Sequence, residues 1–242
     1  MKVLAIDTSN QAMSIAVLED NKVISEWTTN VKRNHSEQVM PAIASLIKET
    51  GWQIKQLDRI VVAKGPGSYT GLRIGVTTAK TLAWTLEKEL VGVSSLEVLA
   101  ANCVGKEQYI VPLFDARRGT IYTGLYWSDA KGNLKQIEPD THISAEDWAL
   151  RLSKIEGRFC LIGEDSESYY HVFNQYLKKR VYQALPQNRL PRANVLGFLG
   201  MNKETEEIHT FIPSYLKLAE AEENWRKKHP DKLGDTTYVE KV

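Results

Sequence analysis

Val3-Leu-Ala-Ile-Asp7-Thr-Ser-Asn10 is the stretch on which the fold turns. A short apolar run ends abruptly in a polar cluster that can reverse the chain, so residues 3–6 read as a strand and 7–10 as its turn. Residues 13–18 form a second strand, turned at Glu19-Asp20-Asn21, and 23–28 a third. A helix over about 36–50 gathers Val39, Met40, Ile43, Leu46 and Ile47 on one face, and Gly51 ends it. A strand at 59–63 follows, then the turn Gly65-Pro66-Gly67 and a helix over about 71–87. A strand at 90–93 and a helix over about 95–103 close this half.

The order then recurs. Strands are predicted at 109–114, 120–127 and 134–137, a helix at 144–155, a strand at 159–162, a helix at 166–177, a strand at 181–184 and a helix at 193–201. Each half reads βββαβαβα, and each first strand ends on an aspartate, Asp7 or Asp115. An antiparallel meander continued by parallel strands makes a mixed sheet with helices on its faces. Two such units side by side leave a cleft at the carboxyl ends of their strands. This resembles the α/β architecture of actin, sugar kinases and the Hsp70 ATPase, the actin-like ATPase (ASKHA) fold. The first domain is placed at residues 1–104, with a returning segment near 214–230, and the second at 105–213. A charged helical stretch is expected over 219–229 and a polar tail over 231–242.

Bulk properties set limits. The chain has 242 residues, 43% apolar and 25% charged, with a formal net charge of +1, which is ordinary for a globular protein. A nucleic-acid binder working by overall charge would need a strong basic excess. The basic clusters Arg117-Arg118, Lys178-Lys179-Arg180 and Arg226-Lys227-Lys228 read as solvated surface. Cys103 and Cys160 form no CxxC pair and read as core residues in a reducing compartment. The start runs directly into a strand rather than a signal peptide, and no apolar run approaches the ~20 residues of a membrane span. The expected location is cytoplasmic.

Candidate chemistry is concentrated in a few places. Gly65-Pro-Gly-Ser-Tyr-Thr-Gly71 lies between a strand and a helix, where backbone N–H groups can hold an anion. It lacks the Gly-Lys-Ser/Thr of a Walker loop, and a tight turn explains its glycines equally well. In the following helix Gly71, Gly75, Ala79 and Ala83 form a small-residue face, while Leu72, Val76, Leu82 and Leu86 supply a bulkier one. The small face packs either on the protein's own sheet or on another subunit; a partner is favoured because the bulky face already serves the core. Asp115-Ala-Arg-Arg-Gly119 brings a carboxylate and two guanidiniums into one turn, either to bind phosphate or carboxylate or as an internal ion pair. The histidines His35, His142, His171, His209 and His229 form no HxxxH or HExxH pair, so a metal site is poorly supported.

Together, Leu4–Ser9, His35-Ser-Glu with Pro41, Gly65–Gly75 with Ala79-Lys80, Gly92–Leu96, Asp115–Gly119 with Tyr122, and Pro213–Lys217 resemble the TsaB (YeaZ) family, in the family's order. The resemblance implies a non-catalytic subunit beside a paralogous catalytic subunit, TsaD, and an ATPase, TsaE. Together these transfer a threonylcarbamoyl group to adenosine 37 of tRNA. It implies a homodimer when alone, no metal of its own, and ATP or ADP at most at the complex interface. The catalytic paralogue carries a metal-binding HxxxH where this chain has Ser95 and Leu99, and those side chains cannot replace two imidazoles. The implied partner surface comprises His35, Val39, Met40, Ile43 and Ile47 with Gly71, Leu72, Gly75, Val76, Ala79, Lys80 and Ala83. The implied nucleotide or phosphate residues, vestigial or working, are Asp7, Thr8, Ser9, Gly65, Gly67, Ser68, Asp115, Arg117 and Arg118. Two other classes stay open: an actin-fold ATPase or kinase acting alone, and a metallopeptidase. Only two glycines, Gly197 and Gly200, stand where an adenosine-site glycine motif would lie, which weakens the first.

Overall fold

The computed structural model describes residues 1–31 and 34–217. The charged stretch at 219–229, its Arg226-Lys227-Lys228 cluster and the polar tail lie outside the described residues.

The first sheet contains β1 (Lys2–Asp7), β2 (Met13–Glu19), β3 (Lys22–Thr29), β4 (Arg59–Gly65) and β5 (Glu89–Ser94), in the order β3-β2-β1-β4-β5. The first three strands form an antiparallel meander, and β4 and β5 add in parallel. The crossovers are α1 (His35–Thr50) and α2 (Tyr69–Leu86). Asn34 caps α1 by accepting from Ser36 N–H, and Gly51 ends it in the left-handed region.

The second sheet repeats this plan with β6 (Gln108–Asp115), β7 (Thr120–Ser128), β8 (Leu134–Ser144), β9 (Phe159–Ile162) and β10 (Val181–Gln183). Its order, β10-β9-β6-β7-β8, is that of the first sheet read from the opposite edge. Here α4 (Ala145–Ser153) and α5 (Ser166–Leu177) make the crossovers. The strand expected at 134–137 runs on to Ser144. Glu138, Asp140 and His142 hide it from a search for apolar alternation, yet its ladder to β7 persists through Thr123↔Thr141 and Tyr122↔His142. Pro139 falls where that register shifts, on an edge strand, which is where a residue without an N–H is tolerated.

Two short helices tie the halves together. α6 (Ala193–Met201) follows the second sheet in sequence but packs on the first. Its Ala193 and Leu196 join Val3, Ala5, Ala16, Leu18, Val61 and Val91 in one buried cluster. Gly197 and Gly200 let it approach: a β-carbon on either would press into Leu18 or Val61. These two glycines therefore serve helix–sheet packing. α3 (Ser95–Ala101) sends Val98 into that same cluster, while Leu96, Leu99 and Ala100 pack on β6, β7 and β9 of the second sheet. Ser94 caps α3 and its hydroxyl also donates to Asp140 on β8, a polar strut from one half to the other. The outer faces are covered by α1 and α2 on the first sheet and by α4 and α5 on the second.

Past α6 the chain returns along the first sheet. Glu206 N–H donates to Leu90 O at 2.8 Å and Ser214 N–H to Lys64 O at 2.7 Å, and Phe211 is buried against Gly92.

Candidate functional site

The carboxyl ends of β1, β4 and β6 open on a cleft of about 490 Å³ between the two halves. Three segments form it, and each is held by identifiable contacts.

The first is the turn entering α2. Ser68 N–H donates to Ser9 O at 2.7 Å, which locks this turn to the one after β1. Ser68 also caps α2, its hydroxyl accepting from Gly71 N–H at 3.3 Å. The helix therefore starts at Tyr69, two residues before the expected Gly71. Asn10, Gly67, Ser68 and Tyr69 face the cleft. Asp7, Thr8 and Ser9 do not: all three are buried beneath its floor. Asp7 Oδ1 accepts from Ser9 N–H at 2.9 Å and from Ser9 Oγ at 2.7 Å, while Oδ2 has no hydrogen-bond partner among the described residues. Burial raises the Asp7 carboxyl above its ordinary range, against the Ser9 hydrogen bonds and the nearby His35 charge. Gly65 is buried under the returning chain at Ser214.

The second segment is the turn between β6 and β7. Arg117, Arg118 and Gly119 adopt left-handed backbone in succession, at φ of 69°, 54° and 73°. For a residue with a β-carbon this costs roughly 1–2 kcal/mol, and such strain tends to collect at working sites. Its effect here is to place both arginines along the cleft with Asp115. Asp115 Oδ1 accepts from Arg117 N–H at 2.8 Å and from the Tyr169 hydroxyl at 2.7 Å. Burial, together with that carboxylate, raises the Tyr169 phenol. Asp165 accepts Asp115 N–H at 2.9 Å, and burial raises its carboxyl too.

The third segment is the returning chain. Tyr215 packs on Tyr69 with ring centroids 5.1 Å apart, and the Arg73 guanidinium lies 4.4 Å from the centre of the Tyr69 ring. Lys217 Nζ reaches across to Ala116 O at 3.2 Å, so this segment touches both halves. Sequence reasoning missed Tyr69, Arg73, Tyr215 and Lys217 as site residues. The signal was present, because all four sit inside the Gly65–Gly75 and Pro213–Lys217 motifs. Two cleft arginines, the start of α2 and an aromatic pair suit an anion carrying a planar group.

The small-residue face of α2 needs correction. Gly71, Gly75, Ala79 and Ala83 are buried within the chain itself, with Leu72 and Val76 beside them. A β-carbon on Gly71 would stand 2.1 Å from Thr8 O. The stripe exists to bring α2 close to the first sheet, and it offers no surface to a second subunit. Val39, Ile43 and Ile47 of α1 are likewise buried on that sheet. His35 is half-buried, its Nε2 2.8 Å from Asn10 O. Lys80 holds the returning chain by donating to His209 O and Phe211 O. Of the residues expected to meet a partner, Met40 alone is exposed. Trp84, not singled out from the sequence, is 63% exposed on the outer side of α2.

Among the described residues, no three of His, Cys, Asp and Glu come together as metal ligands would. No described helix is long and apolar enough to cross a membrane.

Comparison with known proteins places this geometry. The family model of TsaD, described as tRNA N6-adenosine threonylcarbamoyltransferase, matches residues 22–225. The tRNA threonylcarbamoyladenosine biosynthesis protein TsaB of Bacillus subtilis is 44% identical over 225 residues, covering 93% of this chain and 98% of that protein. TsaB of Escherichia coli is 28% identical over 67% of this chain and 71% of its own length. The crystal structure of a Pseudomonas aeruginosa protein with similarity to peptidase YeaZ superposes with a TM-score of 0.76 at 25% identity, over 89% of this chain and 99% of that one. The ROK hexokinase of Thermus thermophilus, at 11% identity and a TM-score of 0.51 over 84% of this chain and 100% of its own, shares the actin-like fold. With the two matched sheets and the cleft between them, these similarities establish that the chain belongs to the TsaB family.

Proposed function

We propose that this chain takes part in forming threonylcarbamoyladenosine in tRNA, as a partner subunit that does not carry the transfer chemistry itself. Family membership supports the pathway. The observation that carries the subunit role lies on α3. Ser95 and Leu99, at the positions where the resemblance puts the catalytic paralogue's two metal-binding histidines, are wholly buried. Leu99 packs under Ile110 and Cys160 in the second half's core. A position committed to the core cannot present a ligand to a cleft.

On this reading the chain pairs with a TsaD-type catalytic subunit, works with a TsaE-type ATPase, and meets tRNA through the complex. Alone it forms a homodimer by the same surface. The exposed apolar groups left on the two outer helices, Met40 on α1 and Trp84 on α2, form the contact. ATP or ADP at the complex interface would be held by this chain's Arg117 and Arg118 beside the start of α2. The metal belongs to the catalytic partner. An ATPase or kinase acting alone is the second reading, favoured by the arginine-lined cleft. Against it, Asp7 is enclosed beneath the cleft while Asp115 is exposed, so the two aspartates do not face a common ligand.

Size-exclusion chromatography with light scattering tests the proposal, on the chain alone and mixed with the TsaD-type and TsaE-type proteins, followed by nucleoside analysis of an added tRNA transcript. A homodimer that converts to a heterodimer, with modified adenosine only in the mixture, supports it. ATP turnover by the chain alone, without association, overturns it.

A further inference from the structure

The two edges of the first sheet differ. Along β5 the returning chain lies alongside, with Glu206 N–H donating to Leu90 O. Along β3, among the described residues, no backbone group outside β2 pairs with the strand. An open edge of this kind is a template for another strand, and proteins usually blunt it. Here the blunting is partial. Ser25 pairs with Val17 while Val23 pairs with Leu18, so Ile24 is an extra residue that bulges the start of β3. Residues 25–29 keep an unbroken ladder to β2, from Val17 to Met13.

That regular stretch forms one wall of a groove. Ser25 and Trp27 stand opposite Val17 and Ile15, which join α1 in one buried cluster, so both turn to the α1 side of the sheet. α1 supplies the other wall, and the space between is about 410 Å³. Its apolar lining is Trp27, Pro41, Ala42 and Leu46, and Trp27 is exposed.

Carboxylates mark the two ends of the groove, Glu37 in the first turn of α1 and Glu49 near its last residue. Glu49 accepts from the Ser25 hydroxyl at 3.0 Å, and Glu37 accepts from Asn34 Nδ2 at 3.0 Å. Neither meets a cation among the described residues. A third carboxylate, Glu26, is already held by Arg192 and Asn194. The groove therefore offers an apolar floor between two carboxylates that have no counter-charge there, beside a row of backbone groups with no strand to pair with.

We propose that β3 accepts an added strand from a partner protein, a basic extended segment that pairs with residues 25–29 through its backbone and is read by the β3–α1 groove through its side chains. The spacing sets the pattern of that segment. Glu37 and Glu49 are separated by about 18 Å of helix. A strand covers about 20 Å in six residues and presents the same face at every second one. Cations at positions i and i+6 meet the two carboxylates, and apolar side chains at i+2 and i+4 cover the floor between them. The same carboxylates reject an acidic segment. Met40 does not line this groove, so the surface is separate from the subunit contact proposed above, and either can fail without the other.

The test titrates the full chain into a fluorescein-labelled peptide amide, Lys-Thr-Val-Thr-Val-Thr-Lys, and into its permutation Val-Thr-Lys-Thr-Lys-Thr-Val, which has the same composition and charge. Anisotropy should show saturable binding of the first, at least about tenfold tighter than the second. Glu37→Gln and Glu49→Gln should each weaken binding by up to about fivefold, as the loss of an exposed ion pair does, with unchanged melting curves. Amide exchange at residues 25–29 should slow when the first peptide is present. No saturable binding, equal binding of the two peptides, a Glu37→Gln/Glu49→Gln double variant that binds as well as the parent, or slowed exchange that spares residues 25–29 would each overturn the proposal.

Discussion

Thr8 closes directly over Gly75: a β-carbon on that glycine would stand 2.3 Å from the Thr8 hydroxyl oxygen. The same hydroxyl donates to Gly71 O at 2.7 Å one turn earlier in α2. The turn after β1 and the small-residue face of α2 thus interlock beneath the cleft.

Gly75→Ala should destabilise the chain for this reason. Alanine's better helix propensity favours it by about 1 kcal/mol, but overpacking a closed contact costs about 1–3 kcal/mol. We expect a net loss of up to about 2 kcal/mol in urea unfolding. In a Thr8→Ala background the loss should largely vanish, because the two sites are coupled through one contact. Equal cost in both backgrounds would show that Thr8 is not the obstacle.

Arg117→Gly separates the strain of the arginine turn from its use. Glycine relieves about 1–2 kcal/mol of left-handed backbone strain, offset by about 0.4–1 kcal/mol of extra freedom in the unfolded chain. Thermal unfolding should therefore stay within about 1 kcal/mol of the parent. Formation of modified tRNA in the reconstituted mixture should fall at least tenfold, about 1.4 kcal/mol. Full activity in a stable variant would remove Arg117 from the site.

Asp7 gives a pH dependence with a definite sign. Its folded carboxyl is raised above the ordinary value of 3.8, so the folded state holds that proton more tightly than the unfolded chain does. Its stabilising contribution is complete below that value and is lost as pH rises through the folded value. Asp7→Asn keeps an oxygen to accept from Ser9 and carries no charge. It should be more stable than the parent at pH 7, with the advantage shrinking as pH falls toward 4. Denaturant midpoints taken across that range measure this, and a constant difference would be the wrong outcome.

Trp84→Glu addresses the outer surface. A residue 63% exposed contributes little to the fold, so the melting temperature should change by no more than about 2 °C. Light scattering should show homodimer and heterodimer both lost, or weakened at least tenfold. Unchanged association would move the proposed interface off α2.

Much of the fold was legible because its signals are local and short-range. β9, α5 and α6 begin and end where the sequence reading puts them, at 159–162, 166–177 and 193–201. β8 was cut short because pairing with β7, not its own alternation, sustains its polar second half. The site was harder to read. Asp7 and Asp115 look equivalent as strand-end aspartates, yet burial puts one under the floor and leaves the other exposed. The spacing of Gly71, Gly75, Ala79 and Ala83 announces a close approach but does not say to what. A sheet of the same chain and a helix of another ask for the same small residues. Tyr215 and Lys217 reach the cleft only through the return of a distant segment, which no window of sequence contains.

The placement of α6 also has a consequence for how the protein comes into being. A ribosome releases all five strands of the first sheet long before it reaches Ala193. Until then Val3, Ala5, Ala16, Leu18 and Val61 have only Val98 of α3 against them and lack Ala193 and Leu196 of α6. The first half cannot mature fully as it emerges, and must wait, with much of one apolar face bare, for the last of the described helices. A nascent chain stalled before Ala193 should therefore engage holding chaperones, and a circle of synthesis that began at the second sheet would spare it that exposure.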